Sequence, residues 1–146
     1  MLPRWHVFWG ALMTVGLHYL SPGLPEHYLL AFFLASVFID FDHYIQAAYT
    51  TGSFHLGDAF AYHDVLGKEI MHNHAKGIRR TYDFHLFHTI EFHALIAFIG
   101  IWWGPAFYVF LGMMFHSLLD IYSMLKANVL YTREFFLTKW IVQRLA

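Results

Sequence analysis

Long apolar stretches without charge are the feature that most restricts how this chain can fold. Residues 94–115 contain no Asp, Glu, Lys, Arg or His, and shorter uncharged stretches cover 7–17 and 28–39. A helix needs about 20 mainly apolar residues to cross a bilayer, and the shorter stretches reach that length when extended through their histidines to about 5–20 and 27–48. The chain is 58% hydrophobic and 13% charged, against about 25% charged in ordinary soluble domains, which predicts a membrane protein.

The turn at Gly104-Pro105 and the positions of the basic residues indicate the number of spans. Proline suits the first position of a helix, so the third stretch is interpreted as two helices, at about 86–103 and 105–125. All nine Lys and Arg residues then fall on one side, because the opposite connections, 21–26 and the Gly104-Pro105 turn, contain none. The positive-inside rule makes that side cytoplasmic, whereas a single kinked span would carry the four basic tail residues across.

The predicted fold is therefore all-α: a polytopic membrane protein with a four-helix transmembrane bundle, in one domain over 1–146. Both termini are expected on the cytoplasmic side of the cell membrane. A long cytoplasmic loop at 49–85 is expected to form short helices at the membrane surface. The last segment, 130–145, mixes apolar and basic residues and is predicted to be an interfacial helix.

Composition excludes several classes of function. The chain has no cysteine, which rules out thiol catalysis, disulfides and thiolate metal sites. A formal net charge of −1 offers no basic face for nucleic acid. Membrane lipids are the expected partners of a membrane protein. Formation of a homo-oligomer is left open. Twelve histidines in such a lipophilic chain need an explanation, because histidine is the commonest metal ligand.

Four carboxylates lie inside or at the edge of the predicted spans, and no Lys or Arg lies within any span to pair with them. They are Asp40, Asp42, Glu91 and Asp120. An ionised carboxylate at the bilayer centre costs about 2.5–3.5 kcal/mol or more. We therefore expect these groups to be protonated, to be paired with loop residues such as Arg79 and Arg80, or to be neutralised by a bound cation.

The four helices alternate in direction and bring their polar side chains to one level near the cytoplasmic side. These side chains are His6 on the first helix, Asp40, Asp42 and His43 on the second, His85, His88 and Glu91 on the third, and His116 and Asp120 on the fourth. Residues at i, i+4, such as His116 and Asp120, share a helix face, and helix bundles build carboxylate–histidine metal sites in this manner. Asp40 and Asp42 point in different directions on a regular helix. If both bind metal, that helix must end or distort there, or the two side chains must serve different metals.

Imidazole nitrogen and carboxylate oxygen together suit Zn, Mn or Fe, and a hydrogen-bonded polar cluster without metal is the alternative. The other histidines are given simpler roles. His18 and His27 are expected at the surface, and His93 is expected to be packed or hydrogen-bonded. Four more are expected to be solvated loop residues, of which one or two could complete the site: His55, His63, His72 and His74.

Four short motifs, in order, resemble those of the YdjM-like membrane-bound metal-dependent hydrolases, small inner-membrane proteins of prokaryotes. The matching segments are His6-Val7-Phe8-Trp9-Gly10, Ile39-Asp40-Phe41-Asp42-His43, His88-Thr89 and His116-Ser117-Leu118-Leu119-Asp120. That family looks like a distant, membrane-embedded relative of the zinc-dependent phospholipase C and P1-nuclease group. The group holds a cluster of zinc ions with His and Asp and cleaves phosphodiesters.

The resemblance implies an inner-membrane metalloenzyme with one to three divalent ions, zinc first and Mn or Fe as alternatives. Carried over position by position, it implies metal ligands at His6, Asp40, Asp42, His88, His116 and Asp120. We expect Glu91 or His85 to act as general base or to orient His88. The implied reaction is hydrolysis of a phosphoester or lipid-like substrate by metal-activated water.

Other functions are compatible with the same residues. A cation held among four helices could be the cargo of a non-catalytic metal-binding or transport protein, and buried Asp and His can relay protons. The pairs His85/His88 and His72/His74 superficially match the histidine boxes of membrane di-iron oxidases, and two facing histidines could hold haem. A structural membrane subunit is the simplest alternative.

Overall fold

The computed structural model describes residues 3–82 and 84–145, and this part of the chain is helical, with no β-strand. The all-α prediction is confirmed. Two 3₁₀ turns, Leu86–His88 and Leu130–Thr132, interrupt the connections. The helices are α1 Pro3–Leu20, α2 Glu26–Phe38, α3 Phe41–Thr51, α4 Leu56–Ala75, α5 Ile90–Gly100, α6 Gly104–Lys126 and α7 Leu137–Leu145.

Helix α6 is the central element, because it packs against α1, α2 and α5. Gly112 lets α6 approach α2 closely: a Cβ at this position would meet the carbonyl oxygen of Phe32 and would lie 3.0 Å from Cβ of Ala35. Tyr28 of α2 stacks on Tyr108 of α6 with ring centroids 4.8 Å apart. Small residues at such contacts are how helices pack tightly in a membrane.

The predicted second span, 27–48, is divided into two helices. Helix α2 ends at Phe38, and α3 begins at Phe41 with Asp40 as its N-cap residue. The Asp40 side chain makes no capping hydrogen bond, and the amides of His43 and Tyr44 bond to the Asp40 carbonyl oxygen. The helix is interrupted at Ile39 and Asp40, and Asp42 lies in the first turn of α3, so the prediction of one continuous helix is wrong.

The predicted third span, 86–103, is shorter than expected. Residues 86–88 form a 3₁₀ turn, Thr89 is extended, and α5 covers only Ile90–Gly100. The Thr89 hydroxyl accepts a hydrogen bond from the Phe92 amide at 3.3 Å, so Thr89 is an N-cap that fixes a later start for the helix. Pro105 stands in the first turn of α6, as expected.

The predicted loop 49–85 contains one long helix instead of several short ones. Helix α4 has 20 residues and packs against α3. Gly52, with φ 71°, turns the chain between them, and a positive φ is readily adopted by glycine. A pair at i, i+4, Asp64 and Lys68 at 2.6 Å, supports the exposed face of the helix.

The predicted tail helix 130–145 is α-helical only from Leu137 onward, and its first residues form the 3₁₀ turn Leu130–Thr132. The preceding residues run along neighbouring elements and form backbone hydrogen bonds with them. The Tyr82 amide donates to the Thr132 carbonyl oxygen and the Ile90 amide to that of Phe135, both at 3.0 Å. These contacts replace the hydrogen bonds of a helix, which is why the segment departs from the predicted helix. Residues 132–138 are called the tail strap below.

Polar side chains occupy the centre of the fold, and apolar ones cover its outside. The largest fully buried side chains are His6, Ser36, Thr89 and His116, whereas Trp9, Phe38 and Trp102 are exposed. Two helical stretches, 26–51 and 104–126, are long and apolar enough to cross a membrane. The described part of the chain is therefore compatible with a membrane protein.

Candidate metal centre

Four side chains from three parts of the chain converge on one point in the interior. One donor atom from each of Asp40, His88, His116 and Asp120 lies within 4.8 Å of the others. Oδ1 of Asp40 is 3.2 Å from Nε2 of His116 and 3.4 Å from Nε2 of His88. Oδ2 of Asp120 is 3.8 and 4.0 Å from the same two nitrogens.

These distances match the spacing of ligands around one ion. Ligand atoms 2.0–2.1 Å from a tetrahedral metal are roughly 3.3 Å from one another. The Nε2 atoms of His88 and His116 are buried and lack a hydrogen-bond partner, although carboxylate oxygens lie nearby. Buried polar atoms normally have a hydrogen-bond partner, so a group bound at the centre of the cluster would supply the partner that these two nitrogens lack.

The backbone fixes the tautomer of His116. Its Nδ1 lies 2.9 Å from the carbonyl oxygen of Ser36, and a carbonyl can only accept, so Nδ1 carries the proton and donates. In the neutral ring, Nε2 then turns a lone pair toward the oxygens of Asp40 and Asp120. A lone pair facing carboxylate oxygens is stable only with a proton or a metal ion between them.

Asp42 holds the second histidine of the cluster in the same way. Its Oδ2 accepts hydrogen bonds from the Phe87 amide at 2.9 Å and from Nδ1 of His88 at 3.2 Å. A carboxylate behind a histidine fixes the ring and increases its basicity as a metal ligand. Asp42 also forms a second group of potential ligands with His43 and His88, so its predicted role as a ligand stays a prediction.

His6 closes the cluster from α1. Its side chain is 1% exposed, and its Nε2 lies 3.2 Å from Oδ1 of Asp120. Its ring stacks on that of His116, with centroids 3.7 Å apart. Neither ring nitrogen of His6 has a hydrogen-bond partner. His6, one of the six predicted ligands, therefore lies beside the four-residue group. It contacts Oδ1 of Asp120, whereas Oδ2 is the oxygen near His88 and His116.

Access to the cluster is asymmetric. The Asp40 side chain is 25% exposed, whereas those of His88, His116 and Asp120 are at most 3% exposed. His43 lies on the Asp40 side, with its Nε2 3.4 Å from Oδ1 of Asp40. Asp40 is therefore the most solvent-accessible of the four side chains.

His85, one of the two predicted bases, lies behind Asp42. Its Nδ1 is 4.0 Å from Oδ1 of Asp42, and its ring stacks on His43 with centroids 3.5 Å apart. Burial lowers the pKa of His85 well below its usual value, which keeps the imidazole neutral at pH 7. His85 thus supports the rings and carboxylates that face the cluster.

Glu91, the other predicted base, has its carboxylate occupied elsewhere. It accepts hydrogen bonds from the amides of Leu137 and Thr138, at 2.9 and 3.0 Å, and from the Thr138 hydroxyl at 2.8 Å. The spacing of three residues between His88 and Glu91 does not place them on one face, because α5 starts after the 3₁₀ turn. Glu91 binds the first turn of α7.

The basic group at the cluster is Arg133, which the sequence did not single out. Its Nη2 lies 2.9 Å from Oδ2 of Asp120, and its side chain is 11% exposed. The expected partners are engaged elsewhere, since Arg80 pairs with Glu69 and Arg79 lies over the ring of Tyr131. No local pattern could reveal Arg133, because the tail strap reaches the cluster through contacts distant in sequence.

The remaining histidines largely follow the simpler predictions. His18 and His27 are exposed. His93 is buried and bonded, with Nδ1 2.9 Å from the Thr89 carbonyl oxygen and Nε2 3.2 Å from the Ser117 hydroxyl. Of the four loop histidines, His63 approaches the site, with Nε2 3.0 Å from the carbonyl oxygen of His43.

An apolar groove is lined by two residues that neighbour the cluster residues in the chain. It lies between α2, α5 and α6, has a volume of about 380 Å³, and is lined by Leu34, Phe92 and Ile96 among other apolar side chains. Its lining includes Ile39 and Phe87, which directly precede Asp40 and His88 in the chain. A volume of this size lies within the range of small-molecule sites, about 300–1,000 Å³.

Comparison with protein-family models, curated proteins and solved structures gave no match to this chain. The resemblance to YdjM-like hydrolases therefore stays a prediction based on four motifs. The described structure adds a buried Asp/His group at ligand distance that could hold a metal ion.

Proposed function

We propose that this protein is a membrane-embedded, metal-dependent hydrolase whose ion is held by Asp40, His88, His116 and Asp120. The observation that carries the proposal is the pair of buried Nε2 atoms, on His88 and His116, that face carboxylate oxygens without a hydrogen-bond partner. Zinc is the first candidate, because imidazole and carboxylate in a four-ligand group suit it. Mn or Fe are the alternatives.

A cluster held by protons alone fits these contacts less well. Protonated rings would be expected to aim N–H groups at the carboxylates, yet the short N···O contacts of His88 and His116 lack hydrogen-bond geometry. Formal charge supports the same conclusion. Counting the described residues alone, and with neutral imidazoles, the carboxylates of Asp40, Asp42 and Asp120 exceed the guanidinium of Arg133 by two negative charges, which one divalent ion would balance.

The chain's own residues would position the ion and limit access to it. The Ser36 carbonyl orients His116, and Asp42 orients His88, so both rings are fixed before any ligand arrives. A bound divalent ion supplies Lewis acidity and lowers the pKa of a water molecule toward about 7. The burial of His88, His116 and Asp120 would limit contact with bulk water, and the partly exposed Asp40 would leave room for water and substrate.

The substrate proposed is a phosphoester with a lipid-like chain. The apolar groove starts beside Ile39 and Phe87, so a molecule with its polar group at the cluster could place a hydrocarbon chain between α2, α5 and α6. Predominantly apolar lining with a few polar groups at one end is typical of small-molecule sites. This arrangement supports an amphiphile better than a fully polar substrate.

Hydrolysis is tested with protein purified in detergent and loaded with zinc or manganese. We expect cleavage of a chromogenic phosphodiester or of phospholipid in mixed micelles, loss of activity after chelation, and recovery when the metal is returned. His88→Ala should reduce the rate at least about 100-fold, since a metal ligand is lost, whereas exposed His27→Ala should behave like the unmodified protein. One bound ion per chain without hydrolysis of any phosphoester would instead favour a metal-binding or transport protein.

We also propose that the chain crosses the inner membrane four times, with both termini in the cytoplasm. Exposed apolar side chains around a polar centre support this, because soluble monomers rarely show large contiguous apolar patches. All basic residues on one side of the four spans give the orientation. Helix α5 has 11 residues and is therefore roughly 16 Å long. Because it is short, it is the predicted span whose crossing of the membrane most needs a test.

Topology can be measured with single cysteines, because the chain has none of its own. In intact cells with an accessible periplasmic face, an impermeant maleimide should label Ser21→Cys and Trp103→Cys. Lys76→Cys should react only after the membrane is opened. The cysteine-free parent is the control. Protection of Trp103→Cys together with labelling of Ser21→Cys would show that α5 does not reach the far side.

A further inference from the structure

We propose that Arg133 binds the phosphoryl group of the molecule that reaches the metal cluster. This inference rests on the proposed metal centre, but it does not require that the bound molecule be hydrolysed. Arg133 lies in the tail segment that none of the four sequence motifs includes. Its placement beside Asp120 gives the site an anion-binding residue as well as a metal-binding group.

Within residues 3–82 and 84–145, the ion pair of the Arg133 guanidinium with Asp120 uses only part of its donors. That contact joins Nη2 of Arg133 to Oδ2 of Asp120 at 2.9 Å, whereas a guanidinium carries five N–H donors in a planar fork. The side chain is 11% exposed, so it is held in the interior with a limited opening. Arginine in such a position favours phosphate, because two parallel N–H groups can bind two phosphate oxygens.

The tail strap holds Arg133 in place from both sides. On one side, the Thr132 carbonyl oxygen accepts from the Tyr82 amide, and on the other, the Phe135 carbonyl oxygen accepts from the Ile90 amide. Glu91 fixes the end of the strap through Leu137 and Thr138. The guanidinium is therefore positioned by a backbone with hydrogen bonds on both flanks, which reduces the entropy lost when a ligand binds.

Charge explains why binding of a phosphoryl group should depend on the metal. Without an ion, Asp40 and Asp42 leave negative charge uncompensated around His88 and His116, and this charge repels an anion. With a divalent ion, Asp120 shares its charge between the ion and Arg133, so the guanidinium interacts less strongly with the carboxylate. Metal and phosphate should then bind cooperatively at this site.

The test measures binding of inorganic phosphate by calorimetry, using the full chain in detergent with and without zinc. We expect phosphate to bind the zinc-loaded protein and not the chelated protein. Arg133→Gln should weaken phosphate binding about 10- to 100-fold, the range for a lost hydrogen bond to a charged group, while one zinc per chain is retained. Arg133→Lys should recover part of the affinity, because it keeps the charge and loses the fork.

Arg144→Gln is the matched control, since Arg144 is an exposed arginine on α7 and its loss should leave phosphate affinity unchanged. A second arm replaces phosphate with phosphatidic acid in mixed micelles. Tighter binding of the lipid identifies a lipid headgroup as the source of the phosphoryl group, and equal binding identifies the free anion. Either result supports the inference, provided that Arg133→Gln weakens the binding.

Two results would overturn the role of Arg133. The first is phosphate binding by Arg133→Gln equal to that of the unmodified protein. The second is loss of zinc from Arg133→Gln in parallel with loss of phosphate, which would make Arg133 a partner of Asp120 alone. A protein that binds phosphate through Arg133 and hydrolyses no phosphoester would contradict the hydrolase proposal and leave this inference standing.

Discussion

Replacing His116 with alanine is expected to abolish stoichiometric metal binding by the purified protein. His116 presents an Nε2 lone pair fixed by the Ser36 carbonyl and lies within ligand distance of Asp40 and Asp120. Loss of an outer partner of a metal ligand weakens binding roughly 10- to 100-fold, so loss of the ligand itself should exceed about 100-fold. Elemental analysis after dialysis against a limiting metal concentration measures the effect.

Asp120→Asn and His27→Ala complete this experiment. Asp120→Asn keeps the size of the side chain and removes its charge, so we expect a comparable loss of metal with little change in packing. His27 is exposed on α2, and its replacement should leave the metal content unchanged. Circular dichroism of each variant shows whether the helices are retained. Full metal content in both cluster variants, with folding intact, would refute the metal centre.

Gly112→Ala is expected to destabilise the fold and to weaken metal binding together. The added methyl group would meet the carbonyl oxygen of Phe32, and Cβ of Ala35 lies 3.0 Å away, so α2 and α6 must move apart. Overpacking of this kind typically costs about 1–3 kcal/mol. His116 lies one turn further along the same face of α6, and a shift of α6 carries it away from Asp40.

The midpoint of thermal unfolding in detergent and the affinity for zinc measure these two effects. Gly16→Ala on α1 is the control, because nothing lies within 4 Å of a Cβ at that position. Alanine favours a helix over glycine by up to about 1 kcal/mol, so the control should be neutral or slightly more stable. An unfolding midpoint of Gly112→Ala at or above that of Gly16→Ala would show that the α2–α6 contact tolerates a side chain.

Several parts of the site could be predicted because they depend on local pattern. Uncharged stretches indicated the helices. The positions of the Lys and Arg residues indicated four spans of alternating direction, which place the His and Asp side chains at one depth in the membrane. The spacing of His116 and Asp120 placed both on one face of α6. A break in the second helix was expected only if Asp40 and Asp42 both bind metal, and the structure has a break at Ile39 and Asp40. The convergence of Asp40, His88, His116 and Asp120 agrees with these expectations.

Other parts could not be predicted because they depend on contacts between segments far apart in sequence. The spacing of His88 and Glu91 indicated one helix face, but Thr89 starts α5 late, and Glu91 turns to the tail strap. Arg133 became part of the site because the strap forms backbone hydrogen bonds with residues more than 40 positions earlier in the chain.

The sequence by itself therefore determined that the chain is helical, which side chains are available as ligands and roughly where each lies along its helix. These properties follow from hydrophobic patterning and helical periodicity, which act over a few residues. Only the tertiary structure decided which nitrogens are left without a partner, which carboxylate orients His88 and which cation faces Asp120. Those outcomes depend on angles and distances of a few ångströms between elements, and packing alone sets them.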